Sequence, residues 1–260
     1  MGTLCRFIGV SASGYYAWLK RPKSQRDKEN QQLLECLKVL FEKSRGTYGT
    51  RRLKRLLANE GLIISRRRIG RLLNQAGLRC QTKRRFKVTT DSKHNQPLSL
   101  KLLARQFTVS QPNQCYVGDI TYIWTQEGWL YWAVVIDLFS WQVVGWSMKN
   151  HMRASLVNNA LMMAIWKRKP RKGLLWHTDR GSQSASDSHR LLLKQHGITQ
   201  SMSAKGDCWD NAVAESFFRS LKTECVYRYT LKTKAMAKQL IFDYIEVFYN
   251  RQRLHSANDY

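Results

Sequence analysis

The stretch between residues 113 and 202 most narrowly limits what this chain can fold into. Three β-rich runs, Tyr116–Thr125, Trp129–Leu138 and Trp141–Met148, are separated only by Gln126-Glu127-Gly128 and by Phe139-Ser140. Connections this tight make sequential strands antiparallel neighbours. The pattern then predicts a helix at 153–168, a strand at 174–178, a helix at 186–196, a strand at 198–202 and a long helix at 209–224. Two further helical stretches are predicted over 233–251.

Antiparallel strands followed by alternating helices and strands call for a mixed sheet with helices on its faces. That order is expected of an α/β, ribonuclease-H-like domain, here placed at 113–260. The preceding residues read as all-helical. Residues 1–45 form an N-terminal helical segment: a short helical stretch over 4–20 with a turn at Ser11–Gly14, then a helix over 26–43. Residues 46–80 hold two short helices, the first ended by Gly61, the second capped by Ser65 and stopped at Gly77. A tight connection and a basic second helix make this a helix-turn-helix-like DNA-binding region. Residues 81–112 form a basic linker.

Charge supplies the substrate class. The net charge is +26, and it is uneven: residues 1–112 hold 25 Lys/Arg against 6 Asp/Glu, and the remainder 19 against 12. A chain this basic is built for nucleic acid. The candidate DNA-binding residues are Arg51, Arg52, Arg66, Arg67, Arg68 and Arg71, the linker's Lys83, Arg84 and Arg85, and Arg219. No acidic partners accompany the arginines of 66–71 within their own segment. The six cysteines form no C-x-x-C pair, which supports neither a disulfide framework nor a zinc finger. No run of 18 apolar residues is present, so no membrane span is expected. A cytoplasmic protein follows as the expectation.

The chemistry points to carboxylates. Asp119 lies mid-strand among apolar neighbours, where an unpaired charge is costly. Asp179 ends a short apolar run, and Glu215 follows it after 35 intervening residues, on the 209–224 helix. A 100° step places Asn211, Glu215, Arg219 and Lys222 within an arc of about 80°, away from Val213, Phe217 and Leu221. Three carboxylates brought together can hold divalent metal ions that drive phosphodiester chemistry. Asp137 competes for this role by strand position. Asp207 and Asp210 read as turn and capping residues. His177 serves either to orient a group near Asp179 or as a structural hydrogen-bonding residue.

Six stretches together resemble a known family. They are residues 9–18, Tyr48-Gly49-Thr-Arg-Arg52, Val117-Gly-Asp-Ile-Thr-Tyr122, His177-Thr-Asp-Arg-Gly-Ser-Gln183, Asp210-Asn-Ala-Val-Ala-Glu215 and Tyr249-Asn-Arg-Gln-Arg253. They cover nearly the whole chain in the order found in the catalytic-subunit transposases of the IS-three family of insertion sequences, within the retroviral-integrase-like superfamily. The resemblance implies that Asp119, Asp179 and Glu215 form a metal-binding catalytic triad, that Lys222 acts near the DNA end, and that Asp137 lies outside the triad. It implies two Mg²⁺ ions, with Mn²⁺ as a substitute, and DNA cleavage followed by strand transfer. The implied partners are transposon-end and target DNA, a second copy of the chain in a synaptic dimer or higher oligomer, and a separate N-terminal helix-turn-helix subunit. The implied location is the bacterial nucleoid. Ser184 departs from the family's usual aromatic after Gly-Ser-Gln, a change expected to weaken packing beside Asp179. The chain ends at Tyr260, where relatives continue with a short tail. A non-catalytic DNA-binding regulator of transposition is the alternative reading, and a simple nuclease a third.

Overall fold

The structure is a computed structural model that describes residues 2–80, 109–203 and 212–255. The chain divides into two compact units, Met1–Cys80 and Gln81–Tyr260.

The first unit is helical: α1 (Gly2–Phe7), α2 (Ala12–Lys20), α3 (Gln25–Lys43), α4 (Thr50–Asn59) and α5 (Arg66–Gln75). Ser11 does not mark a turn before Tyr15. Its hydroxyl accepts the Gly14 amide at 3.0 Å and caps α2, so Ser13 and Gly14 lie inside that helix. Ser24 and Ser65 cap α3 and α5 in the same way. Leu33, Leu37 and Leu40 of α3, Leu53 and Leu57 of α4, and Ile69, Leu72 and Leu73 of α5 are buried together as the unit's core.

The second unit is built on a five-stranded mixed sheet. Its strands are β1 (Cys115–Thr125), β2 (Gly128–Asp137), β3 (Val143–Lys149), β4 (Leu175–Thr178) and β5 (Thr199–Met202), in the spatial order β3-β2-β1-β4-β5. The first three pair antiparallel, while β4 and β5 join parallel to β1. The third strand starts at Val143 rather than Trp141. Trp141 sits at φ 59°, in a turn held by Asp137: Ser140 donates from its amide and hydroxyl to one carboxylate oxygen, and the Asn113 amide donates to the other.

Helices α6 (Ala154–Arg168) and α7 (Asp187–His196) cover one face of the sheet. Tyr116, Val135, Val144, Leu156, Ala160, Leu161, Trp176 and Leu193 form the core there. Strand alternation sends Trp132 to the opposite face, where it meets Phe217 and Phe218 of α8 (Ala212–Glu224) edge-on at 5.6 and 5.5 Å. The terminal helical region differs from the expected pair of stretches. α9 (Lys234–Asp243) runs without a break into a π-helical segment, Tyr244–Tyr249, whose Tyr249 packs on Phe217 at 4.7 Å.

Candidate active site

Register brings the two aspartates together. β1 and β4 pair in parallel from Cys115↔Leu175 to Gly118↔Thr178, and the next residues are Asp119, within β1, and Asp179, directly after the end of β4. Tyr116, Gly118 and Ile120 face α6, so alternation turns Asp119 toward the α8 side. The pairing needs Gly118. A Cβ there would lie 2.0 Å from the Trp176 ring, so the indole occupies the space that any side chain would take.

Each carboxylate is oriented by a backbone amide. Asp119 accepts from the Ile120 N–H at 2.7 Å and Asp179 from the Gly181 N–H at 3.1 Å. Both line one open cleft with Gly118, Thr178 and Ser184. Burial pushes the Asp119 carboxyl well above the usual range. The Asp179 charge raises it further, the Ile120 amide opposes the rise, and the charges of Glu215 and Lys222 act with smaller, opposite effects.

Glu215 stands exposed in the first turn of α8, while Val213, Phe217 and Leu221 of that helix are buried. Partial shielding from water raises its carboxyl. Lys222, two turns on, is half-buried with its ammonium 5.8 Å from the Tyr122 ring centroid. Burial lowers its pKa, and the charge on Asp119 opposes that shift. The four residues therefore share one electrostatic environment.

The donor set suits a hard divalent cation, since it offers carboxylate oxygens and negative charge that repels itself when no cation is near. Among the described residues, no group of three or more His, Cys, Asp or Glu side chains closes into a compact ligand cage.

Asp137 is excluded by its surroundings. It is opposite Tyr116 on the α6 face, is 1% exposed, and spends both oxygens on the Asn113 and Ser140 turn. His177 is fully buried, with its ring nitrogens 2.9 and 3.3 Å from the hydroxyls of Ser201 and Ser203. It ties β4 to β5. Ser184 is buried rather than loosely packed: its amide donates to the Gly181 carbonyl, and its own carbonyl accepts from Gln200.

The basic residues separate into two groups. Arg51, Arg66, Arg67 and Arg71 are exposed in the first unit, and Arg219 is exposed on α8. Arg52 lies over the Tyr48 ring at 5.1 Å. Arg68 corrects the expectation that its cluster lacks acidic partners. Its guanidinium donates to Asn30 at 2.8 Å and to Glu29 at 3.3 Å, both on α3, which binds α5 to α3. The partner is distant in sequence, so local charge counting does not find it. Lys83, Arg84 and Arg85 lie outside the described residues, as do Asp207, Asp210 and Asn211.

One buried cluster on α8 is not legible in the sequence. Glu224, at the end of α8, is buried with Arg253 and Tyr244. The motif containing Arg253 is visible in the sequence, but nothing in it names Glu224 as the partner.

Residues 109–208 match the integrase core domain family, residues 215–260 a second integrase core domain family, and residues 28–86 an HTH-like domain. The chain is 44% identical to the insertion element IS600 uncharacterized 31 kDa protein of Shigella sonnei, over 97% of this chain and 93% of that protein. It is 42% identical to the transposase InsF for insertion sequence IS3A of Escherichia coli, over 97% and 88% respectively. Among solved structures, the HTLV-2 integrase catalytic core domain in complex with magnesium (dimeric form) aligns at 18% identity and a TM-score of 0.42, covering 53% of this chain and 89% of that one.

Proposed function

The chain belongs to the IS3-family transposases with an integrase core domain, and we propose that Asp119, Asp179 and Glu215 hold its catalytic metal while Lys222 engages the DNA end. As a transposase of this family it is a DDE polynucleotidyl transferase, with an HTH-like domain that precedes the core in the chain. The observation that carries the site assignment is the placement of Asp119 beside Asp179 at the end of the β1–β4 pairing, with the charges of Glu215 and Lys222 felt at Asp119.

The residues divide the work. Ile120 and Gly181 amides each orient one oxygen of an aspartate, and the two carboxylates would present oxygen ligands to a cation. Glu215, in the first turn of α8, would complete the oxygen set; its charge is felt at Asp119. Two Mg²⁺ ions, with Mn²⁺ able to substitute, would supply Lewis acidity toward a phosphodiester and a more acidic attacking hydroxyl. Lys222 offers a positive charge to a phosphate beside the carboxylates. The reaction is in-line attack by water, then by a freed DNA 3′-hydroxyl, on a phosphodiester, with no covalent enzyme–DNA intermediate.

DNA is gripped by the exposed Arg51, Arg66, Arg67 and Arg71, with Arg52, Lys83, Arg84, Arg85 and Arg219 contributing further charge. Arg68 is the weakest member of that set because it is already engaged within its own unit. The domain limits are taken as 1–45, 46–80, 81–112 and 113–260. Synapsis of two ends by a dimer or larger assembly, cooperation with a separate helix-turn-helix subunit and action at the bacterial nucleoid complete the reading. No helix among the described residues is long and apolar enough to cross a membrane.

The test is a strand-transfer assay on labelled element ends, with Mg²⁺ or with EDTA. Asp119→Asn, Asp179→Asn and Glu215→Gln should each lower cleavage by about a thousandfold, ~4 kcal/mol of barrier, while DNA binding persists. Full activity in any of the three sinks the assignment.

A further inference from the structure

Beyond Asp119, β1 continues as an open hairpin arm. Its pairing with β4 stops at Gly118, whereas its pairing with β2 runs on to Thr125↔Gly128. On this arm Thr121, Ile123 and Thr125 are buried, and the alternate residues point outward. Those outward residues are aromatic. Trp124 is 59% exposed and Trp129, its cross-strand partner, 43%. Trp129 meets Trp124 at 4.9 Å and Tyr122 at 5.0 Å, both edge to face.

Such packing leaves indole faces open to water, which is a poor resting place for two tryptophans. Two further facts say what belongs there. The patch lies on the α6 face of β1, opposite Asp119, but Lys222 of α8 brings its ammonium within 5.8 Å of the Tyr122 ring and so links the two faces at the strand's edge. The acid at the hairpin tip, Glu127, accepts the Lys234 amide at 2.8 Å and so caps the start of α9. The patch thus carries aromatic faces and a cation on a chain of net charge +26.

We propose that Trp124 and Trp129, with Tyr122, form a stacking platform for an unpaired base of the DNA being processed, a few nucleotides from the reacting phosphate. Tyr122 and Trp124 lie three and five residues past Asp119, on the other face of β1 and roughly 10 and 17 Å along it, so a single strand reaches them past the edge of β1 that β4 leaves unpaired beyond Gly118. About three to five nucleotides cover that span at the ~3.4 Å rise of one strand. Aromatic faces accept any base, so the platform selects unstacked DNA rather than a sequence. The inference rests on the reading of Asp119 as an active-site residue.

The experiment uses the full chain, in EDTA, with two duplex probes. One carries a short thymidine overhang. The other carries the same overhang with abasic sites, and therefore the same phosphates. Raised salt weakens the shared electrostatic part of binding. The intact protein should bind the thymidine probe about 5- to 150-fold more tightly than the abasic one. In Trp124→Ala/Trp129→Ala that ratio should fall to about one with abasic binding unchanged, whereas Trp124→Phe should keep most of it. Equal affinity of the intact protein for both probes overturns the proposal, as does a ratio that survives in the double alanine variant. A change in sedimenting mass without a change in ratio also overturns it, and marks the patch as an interface between proteins. Because binding is read without metal, a failure of the metal-site assignment shows separately, as cleavage retained in Asp119→Asn.

Discussion

Arg253 grips both carboxylate oxygens of Glu224, at 2.7 and 2.8 Å, with both side chains at least 93% withdrawn from water by their 7% and 6% exposures. The Tyr244 hydroxyl donates to the same carboxylate at 2.8 Å, and Arg253 also reaches the Ser220 hydroxyl at 3.1 Å. The terminal segment is thereby pinned to α8, the helix that carries Glu215 and Lys222. A buried pair of this kind is costly to break because one charge is left without a partner.

Arg253→Ala should therefore destabilise the protein by about 3–5 kcal/mol in urea unfolding. Arg253→Lys should recover less than half of that, because an ammonium cannot fork across two oxygens. A loss below ~1 kcal/mol for the alanine variant would mean that the pair does not anchor α8.

Asp119 is held at an energetic disadvantage. Its burial and its nearness to Asp179 both oppose ionisation. Asp119→Asn keeps an oxygen for the Ile120 amide and removes the repulsion. Without metal, this variant should melt about 2–4 °C higher, equivalent to ~1 kcal/mol. Added Mg²⁺ should raise the melting point of the parent protein more than that of the variant. A variant that melts lower than its parent without metal contradicts the repulsion argument.

Gly118 and Trp176 occupy each other's space. Gly118→Ala forces a methyl into the indole and should cost about 1–3 kcal/mol, with a further loss of cleavage as Asp119 shifts. A double-mutant cycle with Trp176→Leu should show coupling of at least ~0.5 kcal/mol between the two positions. Simple additivity would place the strain elsewhere.

The His189 ring is poised against protonation. The Trp176 indole N–H can only donate, so the His189 Nε2 that it meets at 2.9 Å is the acceptor, and Nδ1 donates to Asn158 at 2.7 Å. Burial lowers the His189 pKa from 6.5 to about 4. The unfolded chain takes up the proton first, so this contribution is complete above pH 6.5 and is lost as the pH falls from there to about 4. The full effect is roughly 3 kcal/mol. Urea unfolding across that window should show the slope, and His189→Asn should flatten it. An unchanged slope in the variant assigns the acid sensitivity to other groups.

The strand and helix pattern was legible because short connections and alternation are local properties. It located every strand from β1 to β5 within two residues at each start. It missed where Asp137 holds the turn before β3, because that hold depends on Asn113, 24 residues away. It split the terminal helix because a π-helical segment leaves no separate signature in the spacing of apolar residues. Arg68 looked free among its arginine neighbours, yet its acid lies on α3.

By itself, the sequence determined the class of fold, the basic character that calls for DNA, and the candidate acids in their order along the chain. These follow from periodicity, charge and composition, which act along the backbone. Only the tertiary structure decided which acids share an environment. Strand register set Asp119 beside Asp179 and put Asp137 on the opposite face, and packing of α8 brought Glu215 and Lys222 within reach of Asp119's charge. The physical reason is that electrostatic and hydrogen-bond energies depend on distance through space and on burial. Pairing and packing set both, for residues far apart in the chain.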